Sequence, residues 1–255
     1  MILHDIYKRH VMRLAHERCP ACIRGRPRTL GDSDALDGIF RILRTGMQWR
    51  ELGGATSYAT THRRMSSWIA ADVFRDAYRD TLRVYRKLCP TTHYAIDSSY
   101  VRNRFGQEAL GRNHTDRGRK ALKLSVIVDQ HGVPFSVGLD PGNRPDVVLL
   151  ETTIRRAVVD LASLPLFADR GYDSRRNRKI CTDAGLRDRI FRRRTKSTRR
   201  ANARRVVVEH TFAWLDRFRR LLFQYEQRTA AFEAFVFLAL GHLVSRRLAG
   251  TSSVS

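Results

Sequence analysis

Apolar positions recur at helical spacing in several stretches of the chain. In "GDSDALDGIFRILRTG" (31–46), Leu36, Ile39, Phe40 and Leu43 fall three to four apart, with Asp32 or Ser33 as N-cap and Gly46 as the stop. "SYATTHRRMSSWIAADVFRDAYRDTLRVYRKL" (57–88) gives one or two more helices. "RRVVVEHTFAWLDRFRRLL" (204–222) sets Val206, Trp214, Leu215, Phe218 and Leu221 or Leu222 on one stripe. "AAFEAFVFLALGHLVS" (230–245) is apolar nearly all round. It is short for a bilayer and contains Glu233 and His242, so it reads as a buried core helix.

From Cys89 and Pro90 the period changes. "HYAIDSSYVR" (93–102), "ALKLSVIVD" (121–129) and "VPFSVGL" (133–139) read as strands, the last two joined by a short turn at Gly132. The glycine- and charge-rich segment 103–120 reads as a loop. An amphipathic helix follows at roughly 146–160, then "LPLFAD", a short apolar run ending in Asp169. A helix near 174–184, "RDRIF" as a further strand, and a basic loop at 192–200 lead into the 204–222 helix. The pattern predicts a small all-α N-terminal domain over 1–90 and a mixed α/β domain over 91–250.

Composition sharpens this. The 255 residues are 42% hydrophobic, enough for a packed core, yet Lys and Arg number 48 against 25 Asp and Glu. A formal charge of +23 favours a polyanionic partner, DNA or RNA before an anionic membrane surface. The bland alternative is a generally cationic surface. The charge is focused, however: residues 170–220 hold 18 Lys and Arg against 5 Asp and Glu. Within them "RRRTKSTRR" (192–200) offers Arg192, Arg193, Arg194 and Lys196 to phosphates. Arg63 and Arg64, beside Trp68, place a basic helix in the N-terminal region, which suits a helix-turn-helix reader and a plain packing domain equally.

"RGRPR" (24–28) fits either a minor-groove contact or a basic linker. Cys19 and Cys22 have zinc-ligand spacing, with His10 or His16 at hand, but no second cysteine pair lies nearby and a zinc site is not expected. With Cys89 and Cys181 they suggest no disulfide scaffold. The polar opening "MILHDIYKRH" is unlike a signal peptide, so the expected setting is intracellular and reducing.

Three carboxylates carry the candidate chemistry. Asp97 lies in the first strand, Asp169 ends the fourth, and Glu209 sits early in the 204–222 helix. If the first and fourth strands are neighbours, both aspartates point to one spot, and a helix crossing that edge can add the glutamate. Three converging acids repel unless cations lie between them. Hard divalent ions suit oxygen ligands, and two of them can activate water or a 3′ hydroxyl and stabilise the leaving oxygen. The structural alternative is that Asp97 caps a turn, Asp169 pairs with Arg170, and Glu209 pairs with Arg204 or Arg205.

"GRPRTLGDSDALDGIFRILRTGMQWREL", "AIDSSYVR", "ALGR", "LKLSVIVDQHGVPFSVGLDPGNRPD", "ADRGYDS" and "VVVEHTFAWLDRFRRL" together resemble, in order, the blocks of IS5-group insertion-sequence transposases within the IS4-like DDE family. The resemblance runs from about residue 25 to 245. It implies an RNase H-like mixed sheet flanked by helices, a helical DNA-binding N-terminal region, and cut-and-paste chemistry with two Mg2+ ions, Mn2+ substituting. It puts the catalytic, metal-holding positions on Asp97, Asp169 and Glu209. Arg205, with Arg204 beside it, would bind a terminal phosphate, and His114 or Tyr172 would touch DNA near the site. The chain departs from the family signature at Asn202, where a tyrosine is expected, at Asp216, where a lysine is expected, and at His210, where the residue is often basic. The implied partners are double-stranded DNA, as terminal inverted repeats and target, and a second copy of the chain; no membrane is expected. The expected location is the cytoplasm, at the nucleoid in a bacterium, or the nucleus in a eukaryote. Two other readings stand beside this one: an RNase H-like nuclease without strand transfer, and a catalytically silent, domesticated DNA-binding protein.

Overall fold

The computed structural model describes residues 3–20, 30–53, 57–192 and 199–251, with the backbone alone at 199–203 and 251. The chain divides into two compact units, one of Met1–Tyr85, Arg217–Leu222 and Ala230–Ser255, the other of Arg86–Asp216 and Phe223–Thr229. The contacts thus group 217–222 and 230–255 with the N-terminal helices, whereas the sequence pattern alone places one cut near residue 90.

The first unit is helical: α1 (Asp5–Arg18), α2 (Asp32–Thr45), α3 (Tyr58–Ala70), α4 (Val73–Leu88, which runs on past the unit's edge) and the C-terminal helix (Thr229–Thr251, which enters at Ala230). Gly31, not Asp32 or Ser33, is the N-cap of α2, and no side chain caps it; Asp32 and Asp34 instead lie in the first turn, where the helix dipole favours acids. Gly46 closes the helix at φ 71°, a left-handed value that glycine adopts without a Cβ penalty. Lys8 pairs with Asp37 at 2.7 Å, Arg13 with Asp80 at 2.6 Å and Arg18 with Asp76 at 2.7 Å, tying α1 to α2 and α4. The C-terminal helix is long and apolar enough to cross a membrane, but 72% of its most apolar window is buried inside the protein. It is a core helix, as expected. His242 shows why a polar residue is tolerated there: its Nδ1 accepts the His4 amide at 3.2 Å and its ring lies 4.9 Å from that of Phe40.

The second unit is a mixed sheet with helices on both faces. Its elements are β1 (Tyr94–Asn103), β2 (Gly111–Arg112), β3 (Lys120–Asp129), β4 (Pro134–Pro141), α5 (Asp146–Arg155), β5 (Pro165–Ala168), α6 (Arg175–Asp183), β6 (Arg187–Ile190), α7 (Arg199–Leu215) and β7 (Phe223–Gln224). The long strands lie in the order β4-β3-β1-β5-β6. β3 runs antiparallel to both its neighbours, while β1, β5 and β6 are parallel. That order and those directions are the RNase H-like arrangement. β3 is buried from Ala121 to Asp129, which explains its almost continuous apolar run. At the β3–β4 turn Gly132 takes φ 77°, and a Cβ there would stand 2.8 Å from Thr211 Oγ1 of α7.

α7 ends sooner than the sequence period predicts. The helix stops at Leu215, a single-turn 3-10 helix covers Arg219–Leu221, and β7 pairs beside the end of β1. The buried stripe of α7 is Val208, Thr211 and Leu215, while Val206 is exposed. Phe218 is buried as expected, but from extended backbone (φ −90°, ψ 100°) with its ring edge-on to Phe40.

Candidate active site

β1 is buried on both faces at Tyr94, Ala95 and Ile96, then turns polar with Asp97, Ser98 and Ser99, each half-buried. Its parallel register with β5 pairs Ala95 with Phe167. Two residues further along each strand lie Asp97 and Asp169, so the two acids stand level, and alternation directs both towards one face. β5 ends there because Asp169 Oδ1 accepts the Gly171 amide at 2.7 Å and caps the short 3-10 turn Arg170–Tyr172. The structural alternative gives a capping role to Asp97; the residue that caps a turn is Asp169.

α7 covers that face. Arg204 spreads over the Phe167 ring at 5.1 Å, and Arg205 Nη2 lies 3.4 Å from Asp97 Oδ2. One and a half turns on, Thr211 Oγ1 donates to the Gly132 carbonyl at 2.9 Å. The helix is thereby pinned at two points, with Glu209 between them, exposed, one turn beyond Arg205. Burial pushes the Asp97 carboxyl above the ordinary carboxylate range; the Ser98 amide, at 2.8 Å from Oδ1, and the Arg205 guanidinium pull it back, and Asp169 adds to the rise.

The two aspartates are brought together; Glu209 is not gathered with them. Among the described residues no group of three His, Cys, Asp or Glu side chains lies close enough to hold one metal ion. The donor chemistry of Asp97 and Asp169, two adjacent carboxylates with a cationic side chain already on one of them, fits a hard divalent cation. The fit rests on this pair alone.

Tyr172 is fully buried, so of the two residues expected to touch DNA near the site, His114 or Tyr172, it is not a surface contact. His114 is exposed in the loop before β3, and Arg192 is exposed after β6. Arg63 is exposed on α3, but Arg64 is buried, pairs with Asp32 and donates to the Leu30 carbonyl at 2.6 Å. Its charge is committed inside the helical unit, and it is no phosphate ligand as it stands. Cys19 is half-buried, its thiol 3.7 Å from the Ser67 carbonyl. Arg193, Arg194, Lys196, Cys22 and the "RGRPR" stretch lie outside the described residues. Sequence reading overlooked Ser98, Lys123 and Asp146, which meet behind the two aspartates. The one signal was a lysine set inside the apolar run of β3.

Two level aspartates on adjacent parallel strands make this an α/β protein of RNase H-like topology with an acidic pair at the strand ends. The chain belongs to the DDE transposases: residues 89–244 match the family described as "Transposase DDE domain", and residues 9–77 match "Putative transposase of IS4/5 family". A relative from Burkholderia cepacia, "Putative transposase for insertion sequence element IS402", is 36% identical over 161 residues, covering 60% of this chain and 74% of that one. A crystal structure of a pre-cleavage Mos1 transpososome aligns over 88% of this chain and 80% of that chain, at 13% identity and a TM-score of 0.30, a loose likeness.

Proposed function

We propose that the chain binds the ends of its own DNA element, cuts a phosphodiester there, and joins the freed 3′ hydroxyl to target DNA. The observation that carries this reading is the level placement of Asp97 and Asp169 beneath Arg205, in a chain of the DDE transposase family. Asp97 and Asp169 would hold Mg2+, or Mn2+ in its place, with Glu209 as the third carboxylate. When bound, two such ions supply an activated water or hydroxyl and stabilise the leaving oxygen. The aspartates' part is to stand level; at Asp97 burial opposes the charged form, and the Ser98 amide and Arg205 partly offset that until a cation binds. Arg204, Arg205, Arg192 and Arg63, with Arg193, Arg194 and Lys196, bind phosphates, and two copies act together on paired ends.

The test is Asp97→Asn on labelled element ends in Mg2+. Strand cleavage is expected to vanish while end-binding holds, because the variant keeps its shape and loses only the charge. Undiminished nicking refutes the assignment. The absence of a gathered acidic triad among the described residues favours a second reading, a silent DNA-binding descendant. Calorimetric titration separates the two: no heat from Mg2+ or Mn2+ supports the silent protein. Cleaved ends that never join target DNA would mark a nuclease instead.

A further inference from the structure

Behind the aspartates, on the α5 side of the sheet, lies a second polar group. Ser98 follows Asp97 and points the other way; its Oγ donates to Asp146 Oδ1 at 2.7 Å. Lys123 Nζ of β3 meets the same oxygen at 2.7 Å, and also the Arg144 carbonyl at 3.2 Å. The other oxygen of Asp146 reaches the turn after Asp169: a Cβ built on Gly171 would stand 3.2 Å from Asp146 Oδ2 and 3.0 Å from Asp169 Oδ1. Asp146 is therefore bonded to the residue after Asp97 and stands close behind the turn after Asp169. In the same pocket the Tyr172 hydroxyl is buried beside Ser98 without a well-placed hydrogen bond, and the charges of Asp146, Asp97 and Asp169 all reach it.

The lysine is costly. Its side chain is 5% exposed, between Leu122 and Leu124, while that of Asp146 is 31% exposed, and an ion pair with a buried end is often no more stabilising than the apolar residues that could replace it. Stability alone is a weak reason for the pair. We propose that Asp146, paired with Lys123, is a positioning residue: bonded to β1 behind Asp97 and abutting the turn behind Asp169, it fixes the spacing of the two carboxylates that face the cation. This rests on the transposase reading above.

The test uses the full-length chain. Replacing Asp146 alone would strand a buried lysine, so the informative variant is the double Lys123→Met/Asp146→Leu, which keeps the branching and nearly the length of both side chains and removes both charges. Its melting temperature is expected to match or exceed the parent's, with DNA-end affinity within about twofold. Mn2+ affinity by calorimetry and single-turnover cleavage should each fall about 10–100-fold, the usual cost of losing groups that orient metal ligands. Ser98→Ala, which cuts only the tie to β1, should shift both in the same direction by less. A purely structural pair predicts the reverse coupling, with function preserved wherever stability is. Parent-like Mn2+ binding and cleavage in the double variant overturns the positioning role, and if the double variant does not fold, the same result from Ser98→Ala overturns it. Parent-like cleavage by Asp97→Asn instead overturns the transposase reading itself.

Discussion

Gly241, in the middle of the C-terminal helix, sets two opposing terms against each other. Glycine in a helix interior is about 1 kcal/mol worse than alanine, so Gly241→Ala would stabilise a solvent-facing turn. Here a Cβ would lie 2.3 Å from Tyr7 Cδ2, 2.4 Å from Cε2 and 2.5 Å from Cγ. The ring is fully buried and cannot simply turn aside, because its hydroxyl donates to the Phe74 carbonyl at 3.0 Å. Forcing it costs about 1–3 kcal/mol in overpacking. Should the hydroxyl lose its acceptor, a buried unpaired group adds about 1–3 kcal/mol. With a contact this close the clash wins, with a net loss of up to about 2 kcal/mol after the helix gain if the hydroxyl keeps its acceptor and about 1–5 kcal/mol if it does not. For a chain of this size that lowers the melting temperature by roughly 2–4 °C per kcal/mol. The assay is thermal and urea unfolding of Gly241→Ala, alone and with Tyr7→Phe. In the phenylalanine background the ring can shift without losing a bond, so the penalty should shrink. A Gly241→Ala protein more stable than the parent would refute the reasoning, because propensity would then outweigh contact.

His242 has its pKa pushed down to about 4, chiefly by burial. The unfolded chain titrates near 6.5, so it binds the extra proton between about 6.5 and 4, and stability is lost as pH falls through that window, by at most about 3 kcal/mol. His242→Gln, which cannot charge, should flatten the melting profile between pH 7 and 4.5; an unchanged slope would show that other groups carry it. Arg63 and Arg64 are adjacent in sequence and opposite in role. Arg64→Ala should lower the melting temperature, since it removes a buried guanidinium bonded to Asp32 and to the Leu30 carbonyl, and Arg63→Ala should leave it unchanged while weakening DNA binding and reducing the salt slope by about one. The pattern fails if Arg64→Ala is as stable as the parent.

What could be read from the sequence followed distance along the chain. Local signals held: Gly46 ends α2, Gly132 turns β3 into β4, and the polar break after Ile96 marks where the sheet opens at Asp97. The pairing of Asp97 with Asp169 was readable too, because a short apolar run ending in an acid fits a parallel strand ending at the same level. The length of α7 was over-read because Phe218 and Leu221 continue the helical period into a segment where burial is achieved from extended backbone and a 3-10 turn. Arg64 and Tyr172 were misjudged for one reason: each stands among polar neighbours, and their burial depends on partners such as Asp32 that are not adjacent in sequence. Asp146 was hidden more deeply. An acid in the first turn of a helix is explained by the helix dipole alone, so nothing in α5 asks for more. Lys123 asked, as a buried charge set between Leu122 and Leu124, and a buried charge implies a partner somewhere in the fold. The rule to carry forward runs from the misplaced residue to its counter-ion: in a sheet buried on both faces, the ionisable group that breaks the apolar run is where the supporting structure of an acidic centre should be sought.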